Sequence, residues 1–141
     1  KEVPLSKEIN YMQNYLELEK LRHGSKMDIN FSITGEVGQK KIAPLILIPF
    51  IENSFKHGIN NQVSQGFVNL SMHIEENDLV MMVENSKSHS LPKIAEKRSG
   101  GIGLINVKRR MNILYPEKHH LEIKESPNTY LIELNLNLSN H

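Results

Sequence analysis

Near its C-terminus the chain alternates between apolar and polar residues, and this pattern constrains the fold more than any other feature. Between Tyr130 and Leu138, the apolar residues Ile132, Leu134 and Leu136 stand at every second position, with glutamate and asparagine between them. A period of two is typical of a β-strand that buries one face. The rest of the chain must therefore supply a layer that covers this apolar face.

Other segments supply both layers. The same reasoning predicts further strands at residues 27–34, 67–75, 79–84 and 121–124, and helices at residues 6–23, 44–57 and from about Leu104 to Pro116. The first helix has Ser6 as a suitable N-cap and Gly24 as a stop signal. The stretch from Asn85 to Gly101, rich in serine, lysine and glycine, predicts a loop. This mixed order predicts an α/β fold, in which a helical layer packs on a largely antiparallel sheet.

Composition limits the possible functions. The chain has 141 residues, of which 38% are hydrophobic and 23% charged, as expected for one globular domain. Its net charge of +1 provides no basic field for nucleic acid. The absence of cysteine excludes disulfides and thiolate metal sites and fits a reducing cytoplasm. The longest apolar stretch, residues 42–51, is too short to span a bilayer, and the first residues lack a signal-peptide core.

A first polar cluster lies at the end of the second predicted helix. Asn53 and His57 are four residues apart on one side, and Glu52 and Lys56 form the neighbouring row. An amide oxygen is a suitable ligand for Mg²⁺, which takes its other ligands from water and substrate phosphates. The alternative is structural: Glu52 and Lys56 form a surface pair, and His57 is a cation at a helix C-terminus.

A second cluster consists of three glycines, Gly100, Gly101 and Gly103, just before an amphipathic helix. Glycine lets a ligand approach the backbone, and the amides at a helix N-terminus attract phosphate. The spacing matches neither a Walker loop nor a dinucleotide-binding fingerprint. The alternative is a flexible hinge. A zinc site is not indicated, because the histidines lack ligand spacing.

The order of these motifs resembles the GHKL ATPases, whose fold histidine kinases share. The stretch PFIENSFKHG at 49–58 resembles their asparagine-containing N box, and GGIGLINVKRRM at 100–111 resembles the glycine-rich box of LytS-type sensor histidine kinases. The opening VPLSKEINYMQNYLELEKLRHG at 3–24 resembles the segment that joins the phospho-acceptor helices to the ATPase domain. The closing LEIKESPNTYLIELNLNL at 121–138 resembles the final hairpin of that domain.

The resemblance implies a two-layer α/β sandwich of the Bergerat type, with a mixed, mostly antiparallel sheet of about five strands and three main helices. It also implies that Asn53 coordinates the Mg²⁺ bridged to ATP and that Glu52 serves as a general base or polarising group. The remaining implied nucleotide contacts are Lys56, His57, Gly101, Gly103, Leu104 and Asn106. The loop 86–100 would then be a lid over the nucleotide.

One position departs from the family pattern. The family has an aspartate that accepts a hydrogen bond from the adenine amino group, whereas the equivalent stretch here is MVENSKSHS at 82–90. Asn85 takes the place of the aspartate. Its amide oxygen can accept the same bond without charge assistance, so adenine recognition is predicted to be weaker.

The function implied by the resemblance is transfer of the γ-phosphoryl group of Mg-ATP to a histidine outside this chain, because no histidine here has the acceptor context. Residues 1–24 would end the linking segment, and residues 25–141 would form the ATP-binding domain. The implied partners are a response regulator and the chain's own phospho-acceptor helices in a homodimer. The domain would be the cytoplasmic part of an inner-membrane protein, with no membrane segment of its own.

Three alternatives remain at this stage. The chain could be a degenerate nucleotide-binding module that regulates or binds other proteins without kinase activity. It could have another GHKL activity, such as a serine kinase in an anti-sigma pathway, although the LytS-like opening segment argues against this. It could also be an interaction domain without a ligand, in which the glycines form only a hinge.

Overall fold

Three helices are interspersed among seven strands in this computed structural model, which describes residues 1–56, 65–87 and 93–139, with the backbone alone for residues 93–102. The helices are α1 (Leu5–His23), α2 (Ile48–Ser54) and α3 (Lys93–Leu114). The strands are β1 (Val3–Pro4), β2 (Met27–Gly35), β3 (Lys41–Ile42), β4 (Gly66–Glu75), β5 (Asp78–Ser86), β6 (His119–Glu125) and β7 (Thr129–Asn137). None of these helices is long and apolar enough to cross a membrane.

The main sheet has five strands in the order β2-β4-β5-β7-β6. Strands β2 and β4 are parallel, and the other neighbouring strands are antiparallel. The short strands β1 and β3 form a separate antiparallel pair. The predicted two-layer α/β fold with a mixed, mostly antiparallel sheet and three main helices is therefore confirmed.

One face of the sheet forms the core. In β4, β5 and β7 buried residues stand at every second position, and their side chains face the helices. Leu5, Met12 and Leu16 of α1 are buried in the same core. The opposite face of the sheet is mostly polar, with Asn30 donating a hydrogen bond to Asn69 across β2 and β4 at 2.9 Å. The site described below lies on the helix-covered face.

Helix α1 ends as predicted but begins differently. Gly24 follows its last residue with a φ of 61°, a conformation that favours glycine. The prediction of Ser6 as N-cap is wrong, because the helix already begins at Leu5 after Pro4. The Leu5 amide donates to Lys40 O at 2.8 Å, so a neighbouring loop rather than a side chain satisfies this end of the helix.

Helix α2 begins four residues later than the predicted start at Pro44. The Leu45 amide donates to Glu8 Oε2 of α1 at 3.1 Å, and Leu45 has a φ of 57°. From α3, Arg110 donates to the carbonyl oxygens of Pro44 and Leu45, each at 2.9 Å. Contacts from two other helices therefore hold residues 44–45 in a turn, and α2 starts only after it.

Candidate functional site

Helix α2 positions the first cluster. Pro49 lies in its first turn, where the missing N–H costs nothing, and Ile48, Phe50 and Ile51 are buried. After Ser54 the helix widens into a π-type turn at residues 55–56, a deviation that is frequent at functional sites. Glu52 is half-buried and Lys56 is exposed. His57 and the rest of the predicted motif lie outside the described residues.

Asn53 is buried, with 5% of its surface exposed. Its Nδ2 donates a hydrogen bond to the hydroxyl oxygen of Tyr130 at 3.3 Å. Its Oδ1 is buried and has no hydrogen-bond partner. Leaving a buried amide oxygen unpaired costs about 1–3 kcal/mol. This atom is therefore suited to coordinate a cation or to accept a hydrogen bond from a ligand.

Asn85 lies near the end of β5, where its side chain faces the helices. It is fully buried, and its Nδ2 donates to Ser86 O at 2.9 Å. Its Oδ1, like that of Asn53, is buried without a partner. Asn85 pairs with Tyr130 across β5 and β7, so Tyr130 neighbours both asparagines. The structure thus brings Asn53 and Asn85, which are far apart in sequence, to one region of the helix-covered face.

Unpaired buried oxygens are few. Among the described residues, three buried side-chain oxygens have no hydrogen-bond partner: Glu8 Oε1, Asn53 Oδ1 and Asn85 Oδ1. Two of the three belong to the residues that the sequence singled out for metal and adenine binding. In the same part of the chain there is no group of three or more histidine, cysteine, aspartate or glutamate residues that could hold a metal ion.

The glycine cluster lies within a helix. The prediction of a loop from Asn85 to Gly101 is wrong at both ends, because β5 continues to Ser86 and α3 already begins at Lys93. Residues 88–92 of that loop, and of the predicted lid, lie outside the described residues. The stretch KIAEKRS at 93–99 consists mostly of good helix formers, which offset the cost of about 1 kcal/mol per glycine.

The glycine-box residues with described surroundings lie on both sides of α3. Gly103 is exposed, and a Cβ atom built there would have no neighbour within 4 Å. Leu104 is half-buried and packs against the core, whereas Asn106 is exposed. Gly101 lies two positions before Gly103 in the helix backbone. The structure places these residues on one helix, and those with described surroundings, Gly103, Leu104 and Asn106, form no hydrogen bond with Asn53 or Asn85.

The electrostatics of the site follow from burial. Burial raises the pKa of Tyr130 above the usual value for tyrosine, and the hydrogen bond from Asn53 lowers it by a smaller amount. The hydroxyl group is therefore neutral at physiological pH. Burial, together with the negative charges of Glu19 and Glu52, raises the pKa of Tyr15 on α1. The Tyr15 ring packs edge-on against Phe55, with centroids 5.8 Å apart, so α1 contacts the end of α2.

Sequence reasoning did not identify Tyr130 as a site residue. The available signal was its position on the apolar face of an alternating strand, since a buried tyrosine hydroxyl usually has a hydrogen-bond partner. Its partner Asn53 is 77 positions away, so nothing local could indicate it.

Comparisons with known proteins identify relatives of this chain. No protein-family model matches the chain. The chain is 27% identical over 128 residues to the sensor histidine kinase BtsS of Escherichia coli, a match that covers 91% of this chain and 22% of BtsS. It is 25% identical over 142 residues to the sensor protein LytS of Oceanobacillus iheyensis, covering 93% of this chain and 24% of LytS. The chain thus spans less than a quarter of the length of these relatives.

Solved structures show the same fold. The nucleotide-free catalytic domain of histidine kinase ThkA has a TM-score of 0.60 and 14% sequence identity, covering 98% of this chain and 95% of that domain. ThkA in complex with the response regulator protein TrrA has a TM-score of 0.62 and 15% identity, covering 99% of this chain and 42% of that one. LytS- and BtsS-type sensor histidine kinases are homologues of this chain, and its fold is that of histidine kinase catalytic domains.

Proposed function

We propose, on the premise that LytS- and BtsS-type sensor histidine kinases are homologues of this chain, that it is the ATP-binding catalytic domain of such a kinase. It transfers the γ-phosphoryl group of Mg-ATP to a histidine outside this chain. One observation carries the proposal: Asn53 and Asn85, which both neighbour Tyr130, each have a buried amide oxygen without a hydrogen-bond partner.

The residues fit a magnesium nucleotide. Mg²⁺ prefers oxygen ligands and usually takes only one or two from the protein, with the remainder from water and phosphates. Asn53 Oδ1 is such a ligand, and Asn85 Oδ1 is an acceptor for the amino group of adenine. When bound, the metal ion neutralises charge that develops on the transferred phosphoryl group.

The other residues take roles around these two. The half-buried carboxylate of Glu52, adjacent to Asn53, acts as a general base or polarising group for the incoming nucleophile. We assign phosphate contacts to Lys56 and His57, which follow in the same sequence motif. The helical segment with Gly101, Gly103, Leu104 and Asn106 contributes backbone amides to the phosphates, which requires its first turns to open around the nucleotide. Binding and positioning then supply most of the catalysis.

The proposal extends to the whole protein. Residues 1–24 end the linking segment and residues 25–141 form the ATP-binding domain. Because α1 packs in the same core as the sheet, a displacement of the linking segment would reach α2 directly. The partners are the phospho-acceptor helices of a homodimer and a response regulator, the kind of protein bound to ThkA. The domain lies on the cytoplasmic side of the inner membrane.

Calorimetric titration with a non-hydrolysable ATP analogue, with and without Mg²⁺, tests the proposal. The 141-residue chain is expected to bind the analogue more tightly with Mg²⁺, and Asn53→Ala is expected to lose this difference. Asn69→Ala is the matched control, since Asn69 lies on the opposite face of the sheet. No binding at millimolar nucleotide would contradict the proposal.

A phosphorylation assay tests the second half of the statement. With labelled ATP, the chain alone is expected to remain unlabelled and to pass label to its own phospho-acceptor segment when that segment is supplied. Label that appears on this chain alone would contradict the assignment of the acceptor histidine to another part of the protein.

A further inference from the structure

The hydroxyl group of Tyr130 occupies an unusual place in the site. Tyr130 lies on β7 with 3% of its surface exposed, and its hydroxyl oxygen accepts a hydrogen bond from Asn53 Nδ2 at 3.3 Å. In the neighbouring strand its partner is Asn85. One side chain of the sheet thus contacts the amide on α2 and lies beside the amide on β5.

This contact bears on the orientation of the Asn53 side chain. A carboxamide has an oxygen end and a nitrogen end of nearly equal shape, and a half-turn about its last bond exchanges them. Only the oxygen end can bind a metal ion. In the structure Nδ2 is the end of the amide that contacts the tyrosine hydroxyl oxygen, and Oδ1 is buried without a partner.

We propose that Tyr130 is a positioning residue that orients the Asn53 carboxamide, so that its oxygen is presented to the magnesium ion of the bound nucleotide. The assignment rests on the proposed function. Tyr130 acts through Asn53 and needs no contact with the nucleotide.

The measurement is the ratio of analogue dissociation constants without and with Mg²⁺. Tyr130→Phe keeps the ring and removes the hydroxyl group. It is expected to lower the ratio about three- to tenfold, the range that corresponds to the loss of one hydrogen bond, while the Mg²⁺-free affinity stays within about twofold. Tyr115→Phe is the control, because it also removes a buried hydroxyl group, the one that accepts a hydrogen bond from Ala43 N. This variant should leave the ratio unchanged.

A second background separates orientation from packing. A carboxylate has two equivalent oxygens, so it presents an oxygen to the metal in either orientation. In the Asn53→Asp background, Tyr130→Phe is therefore expected to leave the ratio unchanged. A tyrosine that only supports packing would lower the ratio equally in both backgrounds.

The outcomes are distinct. The assignment is supported if Tyr130→Phe lowers the ratio when Asn53 is present and leaves the ratio unchanged in the Asn53→Asp background. An unchanged ratio in Tyr130→Phe, or an equal loss in both backgrounds, overturns it and leaves the proposed function standing. No magnesium-dependent binding by the unaltered chain overturns the proposed function, and the assignment with it.

Discussion

The hydroxyl group of Tyr115 holds the segment that leads into α2, and its removal should weaken the fold by a calculable amount. Ala43 N donates to this hydroxyl oxygen at 2.8 Å, and both residues are buried. Tyr115→Phe keeps the ring packing and leaves the Ala43 amide without its acceptor. An unpaired buried donor costs about 1–3 kcal/mol.

The surroundings place the expected cost in the lower half of that range. A cavity of about 400 Å³ lined by Lys41, Ala43 and Tyr115 adjoins the bond, so water can reach part of the vacated space. We therefore expect the free energy of unfolding to fall by about 1–2 kcal/mol. With a urea dependence of about 2 kcal/mol per molar, the midpoint should move down by about 0.5–1 M.

Urea denaturation followed by circular dichroism measures this shift, with Tyr11→Phe as the matched control. Tyr11 lies on α1 with 47% of its surface exposed, so removal of its hydroxyl group should change stability by less than about 0.5 kcal/mol. Equal midpoints for the two variants would refute the reasoning, because the buried hydrogen bond would then contribute nothing measurable.

Further predictions concern the glycines, pH and the adenine site. Gly35→Ala should lower the free energy of unfolding by at least about 3 kcal/mol, because the φ of this residue is 95° and an added Cβ would lie 1.9 Å from Ile74 O. A loss below about 1 kcal/mol would contradict this. Gly103→Ala, which meets nothing within 4 Å, should raise stability by about 0.5–1 kcal/mol yet weaken nucleotide binding, and calorimetry showing unchanged affinity would argue against a phosphate role. Burial raises the pKa of Tyr15 and favours its neutral form in the folded state. The contribution of Tyr15 to the free energy of unfolding should therefore be fully present below pH about 10 and decrease as pH rises further. In denaturation curves measured across this range, Tyr15→Phe should lose less stability with rising pH than the unaltered chain. Asn85→Asp should bind the ATP analogue about tenfold more tightly, and equal affinity would contradict the view that the amide weakens adenine recognition.

The sheet could be predicted from sequence because each strand buries one face. In β2, β4, β5 and β7 the burial alternates with the same period as the apolar residues, so the pattern indicates both the strand and the side that faces the core. The end of α1 could be predicted equally well, because Gly24 is a local stop signal.

The beginnings of α2 and α3 could not be predicted, for two different reasons. The turn before α2 depends on Glu8 and Arg110, which are 37 and 65 positions away from Leu45, so local propensity says nothing about it. In α3 the glycines suggested a loop, but the helix formers at 93–99 determine the backbone there. The candidate metal and adenine residues were found by motif, whereas Tyr130 depends on a contact between distant elements.

The neutral amide at position 85 suits a fully buried strand end. Asn85 Nδ2 donates to Ser86 O at 2.9 Å, a bond that an ionised carboxylate cannot make because it has no N–H group. An aspartate here would place one buried carboxylate oxygen against the Ser86 carbonyl oxygen, which destabilises the domain. Its other oxygen, in the place of Asn85 Oδ1, would bind the adenine amino group more strongly. Stability without nucleotide and strength of adenine recognition therefore place opposite demands on this residue, and its substitution must be judged by affinity and free energy of unfolding together.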